Sequence, residues 1–196
     1  NLVYDIQHPL VQRVEALMHR LTYGGEDDLV GQAACEHLES GGKRLRARLA
    51  LASVEAAGLP AQTGVGWAAA CELFHNATLI HDDIQDGDEK RRGKPTVWKN
   101  HGVAQAVNAG DLLFLNPINA ILEMPVLPDV KSELCRDFSN YGLAVIRGQG
   151  AEISLRGRSQ PTFDQYIMAA KGKTSALFAL PVSGALRMAQ CSDDVI

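Results

Sequence analysis

The 196-residue sequence has no CxxC pair, no apolar run of the roughly 18 to 20 residues needed to span a bilayer, and no signal-peptide pattern. Cys35, Cys71, Cys135 and Cys191 lie far apart, so the expectation is reduced core thiols in a cytoplasmic protein. An excess of basic residues is also lacking. The formal net charge of -4 argues against a general nucleic-acid binder and makes any cationic function local. No stretch alternates at period two, and there is no internal repeat, low-complexity tract or interdomain linker. The 46% hydrophobic content excludes a disordered chain and suits one domain over residues 1–196. The sequence opens on Asn1 rather than Met, so an upstream segment is expected.

What remains is helical patterning. Leu10, Val14, Leu17 and Leu21 recur at the spacing of an amphipathic helix, which Gly24-Gly25 closes. Gly41-Gly42 separates a second helix from a third that runs to about Ala57, and "GLPAQTG" at 58–64 reads as a loop. A long apolar helix is predicted from about Val65 to an acidic cluster, and another over roughly 101–123, ended near Pro125 and Pro128. Val130, Leu134, Phe138, Tyr141 and Val145 mark a helix over 130–155. The last starts near Lys173 and carries Pro181, which should kink it or start a new segment. The fold class is all-α.

"LIHDDIQDGDEKRRGKPT" (79–96) concentrates opposite charges beside an apolar run. Asp82 and Asp86 are four apart on a helix and share a face, with Leu79, His75 and Cys71 on the stripe behind them. Such a pair reads either as a solvated helix end or as a site for a hard cation. Like charges near a helix C-terminus repel each other and oppose the dipole, so something positive should offset them. Mg²⁺ takes a few carboxylates plus phosphate oxygens and water. In "RRGKP", Arg91 and Arg92 point in different directions and are either surface counter-ions or grips for two separate anions. In "GGKRLR", glycines open a helix N-terminus and Lys43 and Arg46 share a face, the pattern of a solvated basic turn or of an anion site. Gln149 and Glu152 interrupt a core-facing stripe, which implies buried hydrogen bonds or a wet cavity. Lys173 and Thr174 open the last helix.

Together "GGKRLR", "ELFHNATLIHDDIQD", "RRGKPTVW", "NAGDLLF", "RGQGAE" and "KGKTSALF" resemble the trans-isoprenyl diphosphate synthase (polyprenyl synthetase) family, in family order from about residue 10 to the end. The resemblance implies an isoprenoid-synthase-like helical bundle around a central cavity. It also implies condensation of isopentenyl diphosphate with an allylic diphosphate (dimethylallyl, geranyl or farnesyl). Asp82 and Asp86, with Asp83 and Glu152 as further candidates, would bind Mg²⁺ (or Mn²⁺) bridging to the allylic diphosphate. Arg91 and Lys173, helped by Thr174 and Gln149, would hold that diphosphate. Gly42, Lys43, Arg46, His75 and Arg92 would hold isopentenyl diphosphate. A homodimer is implied as well. His81 and His101 are read as structural or surface residues.

Two departures stand out. Glu152 occupies a position where many members carry Asp, and the family's second aspartate-rich motif lies further along than these 196 residues extend. Ser192 followed by Asp193-Asp194 reads as a helix start, so further C-terminal helices are expected, in a protein roughly half as long again by resemblance. Three readings follow: a catalytic prenyltransferase, a non-catalytic partner subunit, or a terpene cyclase. The intact "DDIQD" and "RRGKP" argue against the second. Cationic groups enough for two diphosphates argue against the third. For product length, the family's usual aromatic stop, five or four residues before the first Asp, is replaced by Ala77 and Thr78. Phe74 lies about 12 Å deeper along the helix and is the expected floor, favouring geranylgeranyl over farnesyl diphosphate.

Overall fold

The ends of the helices show why they begin and stop where they do. α1 (Pro9–Thr22) starts on a proline, whose missing N–H would be unpaired there anyway, and the His8 ring nitrogen accepts from the Leu10 N–H at 3.2 Å. Val11, Val14 and Met18 form its buried stripe. α2 (Leu29–Glu39) is capped by the Asp28 carboxylate, which accepts from the Gly31 N–H at 2.9 Å. α3 (Leu45–Ala56) follows, and a 3₁₀ turn (Ala61–Gly64) leads into α4 (Val65–Asp86). The structure, a computed structural model, describes residues 4–156, 162–164, 167, 171–192 and 194. The helix start read at Ser192 followed by Asp193-Asp194 includes residue 193, which lies outside the described residues.

α4 is the axis of the molecule. Val65 to Phe74 are all buried, and α1, α3 and α6 (Val103–Leu122) pack around them. α4 and α6 approach through small residues. A Cβ on Gly66 would lie 2.5 Å from Met124, and one on Gly110 would lie 2.2 Å from His81. α4 stops at Gly87, in the left-handed region at φ 71°. There the Asp88 N–H bonds to the Asp83 carbonyl (2.9 Å) and the Gly87 N–H to that of Ile84 (3.4 Å), the paired pattern that closes a helix C-terminus.

Several expectations need correction. Lys43 lies outside α3, so it shares no helical face with Arg46. The cap is Arg44, held at φ 48° by its bonds to Glu15 (2.8 Å) and the Leu38 carbonyl (2.6 Å). "RRGKP" forms an antiparallel hairpin of β1 (Lys90–Arg91) and β2 (Lys94–Pro95). Arg92 (φ 52°) and Gly93 (φ 80°) make the two-residue turn with the positive angles it requires. Two-residue strands are too short to show a period. The helix expected at roughly 101–123 is α6 (Val103–Leu122), and Gly102 (φ 82°) separates it from a short helix that the sequence reading lacked, α5 (Val97–His101). Only Cys35 and Cys71 are core thiols, while Cys135 and Cys191 are half-buried. All four are free.

α7 (Pro128–Leu155) has 28 residues and so runs about 42 Å. After it, π-type turns (Lys171–Ser175) pass into α8 (Ala176–Met188). Pro181 sits inside α8 without starting a new segment, and its carbonyl accepts from the buried Trp67 indole N–H at 3.1 Å. Among the described residues no helix is long and apolar enough to cross a membrane.

Candidate active site

Three carboxylates and two cations meet where α4, α7 and the π-type turns converge. The Lys173 ammonium lies 3.2 Å from Asp82 and 3.2 Å from Glu152. Arg156, at the end of α7, lies 2.5 Å from Asp86 and 3.8 Å from Glu152. Lys173 reaches this point because backbones touch: a Cβ on Gly148 would lie 2.5 Å from the Lys173 nitrogen, and one on Gly172 would lie 2.9 Å from Gly148 Cα. Burial raises the Asp82 carboxyl above its usual range. Lys173 opposes this shift, while Asp86 and Glu152 add to it.

Among the described residues no three His, Cys, Asp or Glu side chains form a ready-made metal cage. The donors are hard carboxylate oxygens already balanced by protein cations. They fit an ion such as Mg²⁺, which keeps several waters and takes further oxygens from phosphate, better than one that needs a full protein shell.

Beneath the carboxylates a cavity of about 470 Å³ opens between α4, α6 and α7. Asp82, Gln85, Gln149 and Lys173, with His81 and Asp111, line its polar part, and Thr78, Phe114, Val145, Ile146 and Ile153 are among the residues that line the rest. Phe114 and Ile146 also wall a second, apolar pocket of about 200 Å³ that includes Phe138 and Leu143. Of the three chain-length candidates only Thr78 lines either space. Ala77 is fully buried, and Phe74 lies behind Phe114 and Phe138, edge-on to each at 5.3 Å.

A second basic group gathers around the 40–46 turn. Arg92 donates to the Gly41 carbonyl and lies against Gly42, where a Cβ would sit 2.9 Å from its guanidinium carbon. The Arg46 guanidinium stacks 4.9 Å over the Phe178 ring, leaving a buried Nε without a partner. Glu72, buried beneath, accepts from the Ala47 N–H at 3.1 Å in the first turn of α3. Lys43 and Thr174 are exposed. Arg91 is turned elsewhere. It bonds the buried Asp83 at 2.8 and 2.6 Å and lines a separate space of about 210 Å³ with His37 and Lys94. Asp83 therefore stands apart from the Asp82–Asp86 pair.

Burial, then Arg46 and Arg92, push His75 down to about 2, and burial with Arg92 and Arg91 pushes His37 down to about 3. Both are neutral in the folded protein. In the unfolded chain they titrate near 6.5, so on acidification the unfolded state takes up protons that the folded state refuses, and stability falls. Each contributes a slope of up to about 1.4 kcal/mol per pH unit. Urea midpoints should therefore drop between pH 6.5 and 5.5, above the carboxylate range, and His37→Gln should shallow the drop. A midpoint flat across that interval would contradict neutral burial.

Residues 27–196 match the family model described as Polyprenyl synthetase. The chain belongs to the polyprenyl synthetase family. Among relatives of this family, it is 35% identical over 175 residues to a short chain isoprenyl diphosphate synthase of Methanocaldococcus jannaschii, covering 88% of this chain and 52% of that protein. It is 38% identical over 138 residues to a (2E,6E)-farnesyl diphosphate synthase of Mycobacterium bovis, covering 70% and 38%. The solved geranylgeranyl pyrophosphate synthetase of Geoglobus acetivorans superposes with a TM-score of 0.91 at 28% identity, covering 97% of this chain and 62% of that one. The chain thus spans about half or less of the length of these two curated relatives. The all-α bundle is the polyprenyl synthetase fold.

Some residues of this site carried no separate signal in the sequence reading. Arg156 sits four positions after Glu152, a spacing that marks a helical ion pair. Gln85 lies inside "DDIQD", between Ile84 and Asp86. His81, read as structural, lines the cavity 3.4 Å from Asp111.

Proposed function

We propose that the protein is a Mg²⁺-dependent trans-prenyltransferase: a single isoprenyl diphosphate synthase domain, cytoplasmic, that joins isopentenyl diphosphate to an allylic diphosphate. The observation that carries this is the cavity itself. Asp82, close to Glu152 across Lys173, lines it, Phe114, Val145 and Ile146 give it an apolar wall, and Arg46 and Arg92 form a second basic group. A pocket with an apolar wall below a charged mouth suits a prenyl diphosphate, and two cationic groups suit two substrates.

Asp82, Asp86 and Glu152 would hold Mg²⁺, which when bound offsets the charge of the departing diphosphate. Lys173, released from its carboxylate partners, would bind the same diphosphate. Arg46 and Arg92 would anchor isopentenyl diphosphate, with neutral His75 beside them, and the apolar wall of Phe114, Val145 and Ile146 would keep water from the allylic cation. The released diphosphate is itself the base for the final proton, so no side chain needs that role. Incubating full-length protein with both substrates and Mg²⁺, with and without chelator, tests this reading. The absence of any lengthened prenyl product would overturn it.

The cavity also bears on product length, for which geranylgeranyl diphosphate is the proposed end point. Phe114 stands between the 470 and 200 Å³ spaces, with Phe74 packed behind it. Phe114→Ala should join the two and lengthen the product by at least one isoprene unit. Phe74→Ala should chiefly cost stability, about 3–5 kcal/mol for a buried aromatic. Mass spectrometry of the products decides. An unchanged length in Phe114→Ala with a longer product in Phe74→Ala would return the floor to α4. A homodimer is proposed as well, because Leu115, Ile118 and Leu122 of α6 and Leu143 and Ile146 of α7 are exposed apolar residues.

A further inference from the structure

Asp86 has two claimants for its charge. It stands one turn after Asp82 at the C-terminal end of α4, where like charges and the helix dipole call for a positive group nearby. A divalent cation would meet that need, yet the chain already meets it with Arg156. The guanidinium lies 2.5 Å from Asp86 Oδ1 and 3.8 Å from Glu152 Oε1, and it donates to the Gln85 carbonyl at 3.3 Å. Three acceptors from two helices converge on one side chain.

The ends of both helices explain this meeting. Arg156 is the C-cap of α7, four positions after Glu152, so the two side chains leave the same face. At the end of α4 the Asp83 and Ile84 carbonyls accept from the Asp88 and Gly87 N–H groups. The Gln85 carbonyl is the next in line, and Arg156 supplies its donor. Lys173 serves the other side of the cluster, at Asp82 and Glu152.

The Arg156 contact is built to be exchanged. The side chains of Arg156, Asp86 and Glu152 are 40%, 32% and 43% exposed, and a pair so open to water shifts an equilibrium only a few-fold. A metal ion that takes Asp86 meets a guanidinium already there, and two positive charges on one carboxylate repel. We propose that Arg156 is the resident counter-ion of the cation site: it holds Asp86 until a divalent cation displaces it, and so sets the cation concentration at which the site fills. This rests on the reading of Asp82, Asp86 and Glu152 as metal-holding acids, and adds to it a competitor from the chain itself.

Mn²⁺ binding to the full-length protein, followed by loss of the free-ion electron paramagnetic resonance signal, tests the exchange without turnover. Arg156→Gln should tighten Mn²⁺ about three- to tenfold, the scale of a lost exposed ion pair plus a removed like charge. The gain should shrink as salt is added, because exposed charges are screened. Beside Asp86→Asn, the same substitution should change Mn²⁺ affinity by less than about twofold, since Arg156 acts through that carboxylate. Lys131→Gln removes an equal charge near the opposite end of α7, roughly 37 Å away, and should also stay within about twofold.

Unchanged or weaker Mn²⁺ binding in Arg156→Gln would overturn the proposal, as would Mn²⁺ bound by neither form. So would a gain that persists in full beside Asp86→Asn, that Lys131→Gln reproduces, or that salt leaves untouched. Any of these results in a protein that still lengthens prenyl chains in Mg²⁺ would sink this inference and leave the prenyltransferase reading standing. The predicted Mn²⁺ gain in a protein that makes no prenyl product would do the reverse.

Discussion

Asp82→Ala should lower turnover in Mg²⁺ by about a hundred- to a thousandfold, or on the order of 3–4 kcal/mol, the usual cost of losing one pre-placed transition-state contact. Asp82 is the carboxylate that reaches both the cavity and Lys173. Removing it takes away a cation donor and leaves Lys173 paired with Glu152 alone. The mutant ammonium then has one partner where it had two, so its position over the cavity is less defined. Asp82→Asn keeps the volume and should lose nearly as much, which separates charge from packing. Steady-state rates across a Mg²⁺ titration provide the measurement. Turnover near wild type in either variant would remove Asp82 from the proposed metal site.

The second large effect is on stability, and it falls on a residue that the sequence reading assigned to substrate. Asp83 is 1% exposed, and one of its oxygens accepts both bonds from Arg91, while the other is buried without a partner. Burial raises the Asp83 carboxyl, with Arg91 pulling the other way. Arg91→Ala leaves that carboxylate buried and unpaired, a situation that costs about 3–5 kcal/mol. It also frees the hairpin from α4. Chemical denaturation should show the loss directly, and adding Asp83→Asn should recover part of it by removing the stranded charge. An Arg91→Ala protein with an unshifted midpoint would refute the structural role. Any kinetic effect of this variant on the allylic substrate therefore has to be read beside Arg91→Lys, which keeps the charge.

The sequence revealed the helices well because their ends are chemical. Gly24-Gly25 and Gly41-Gly42 fall between helices, and Pro125 and Pro128 mark the break between α6 and α7, because glycine and proline interrupt helices by backbone freedom or a missing N–H. Asp82, Asp86 and Glu152 are legible as charges that continue apolar stripes, whereas Lys173 stands out through the family resemblance. The partner each charge meets is not legible. Nothing in "RRGKP" says that Arg91 turns back to Asp83 while Arg92 turns to Gly41, because that depends on positive angles at Arg92 and Gly93. Phe74 was placed by counting residues along one helix. Counting along α4 cannot show that α6 inserts Phe114 in front of it. Gln149 reads as polar and buried, but its partner Gln85, 64 positions away, is set by the packing of α7 on α4 and not by local sequence.

The contact between Gly148 and Gly172 has a consequence for how this site can vary. Backbone meets backbone there, with no side chain between to act as a shim. The seat of Lys173 is therefore fixed by the register of two segments, and registers change in whole steps of about 1.5 Å along a helix. A rotamer adjustment cannot make up such a step. Gradual tuning of the electrostatics has to come from changing which acid stands at positions 82, 86 and 152, since the spacing between the ammonium and those acids moves only in jumps.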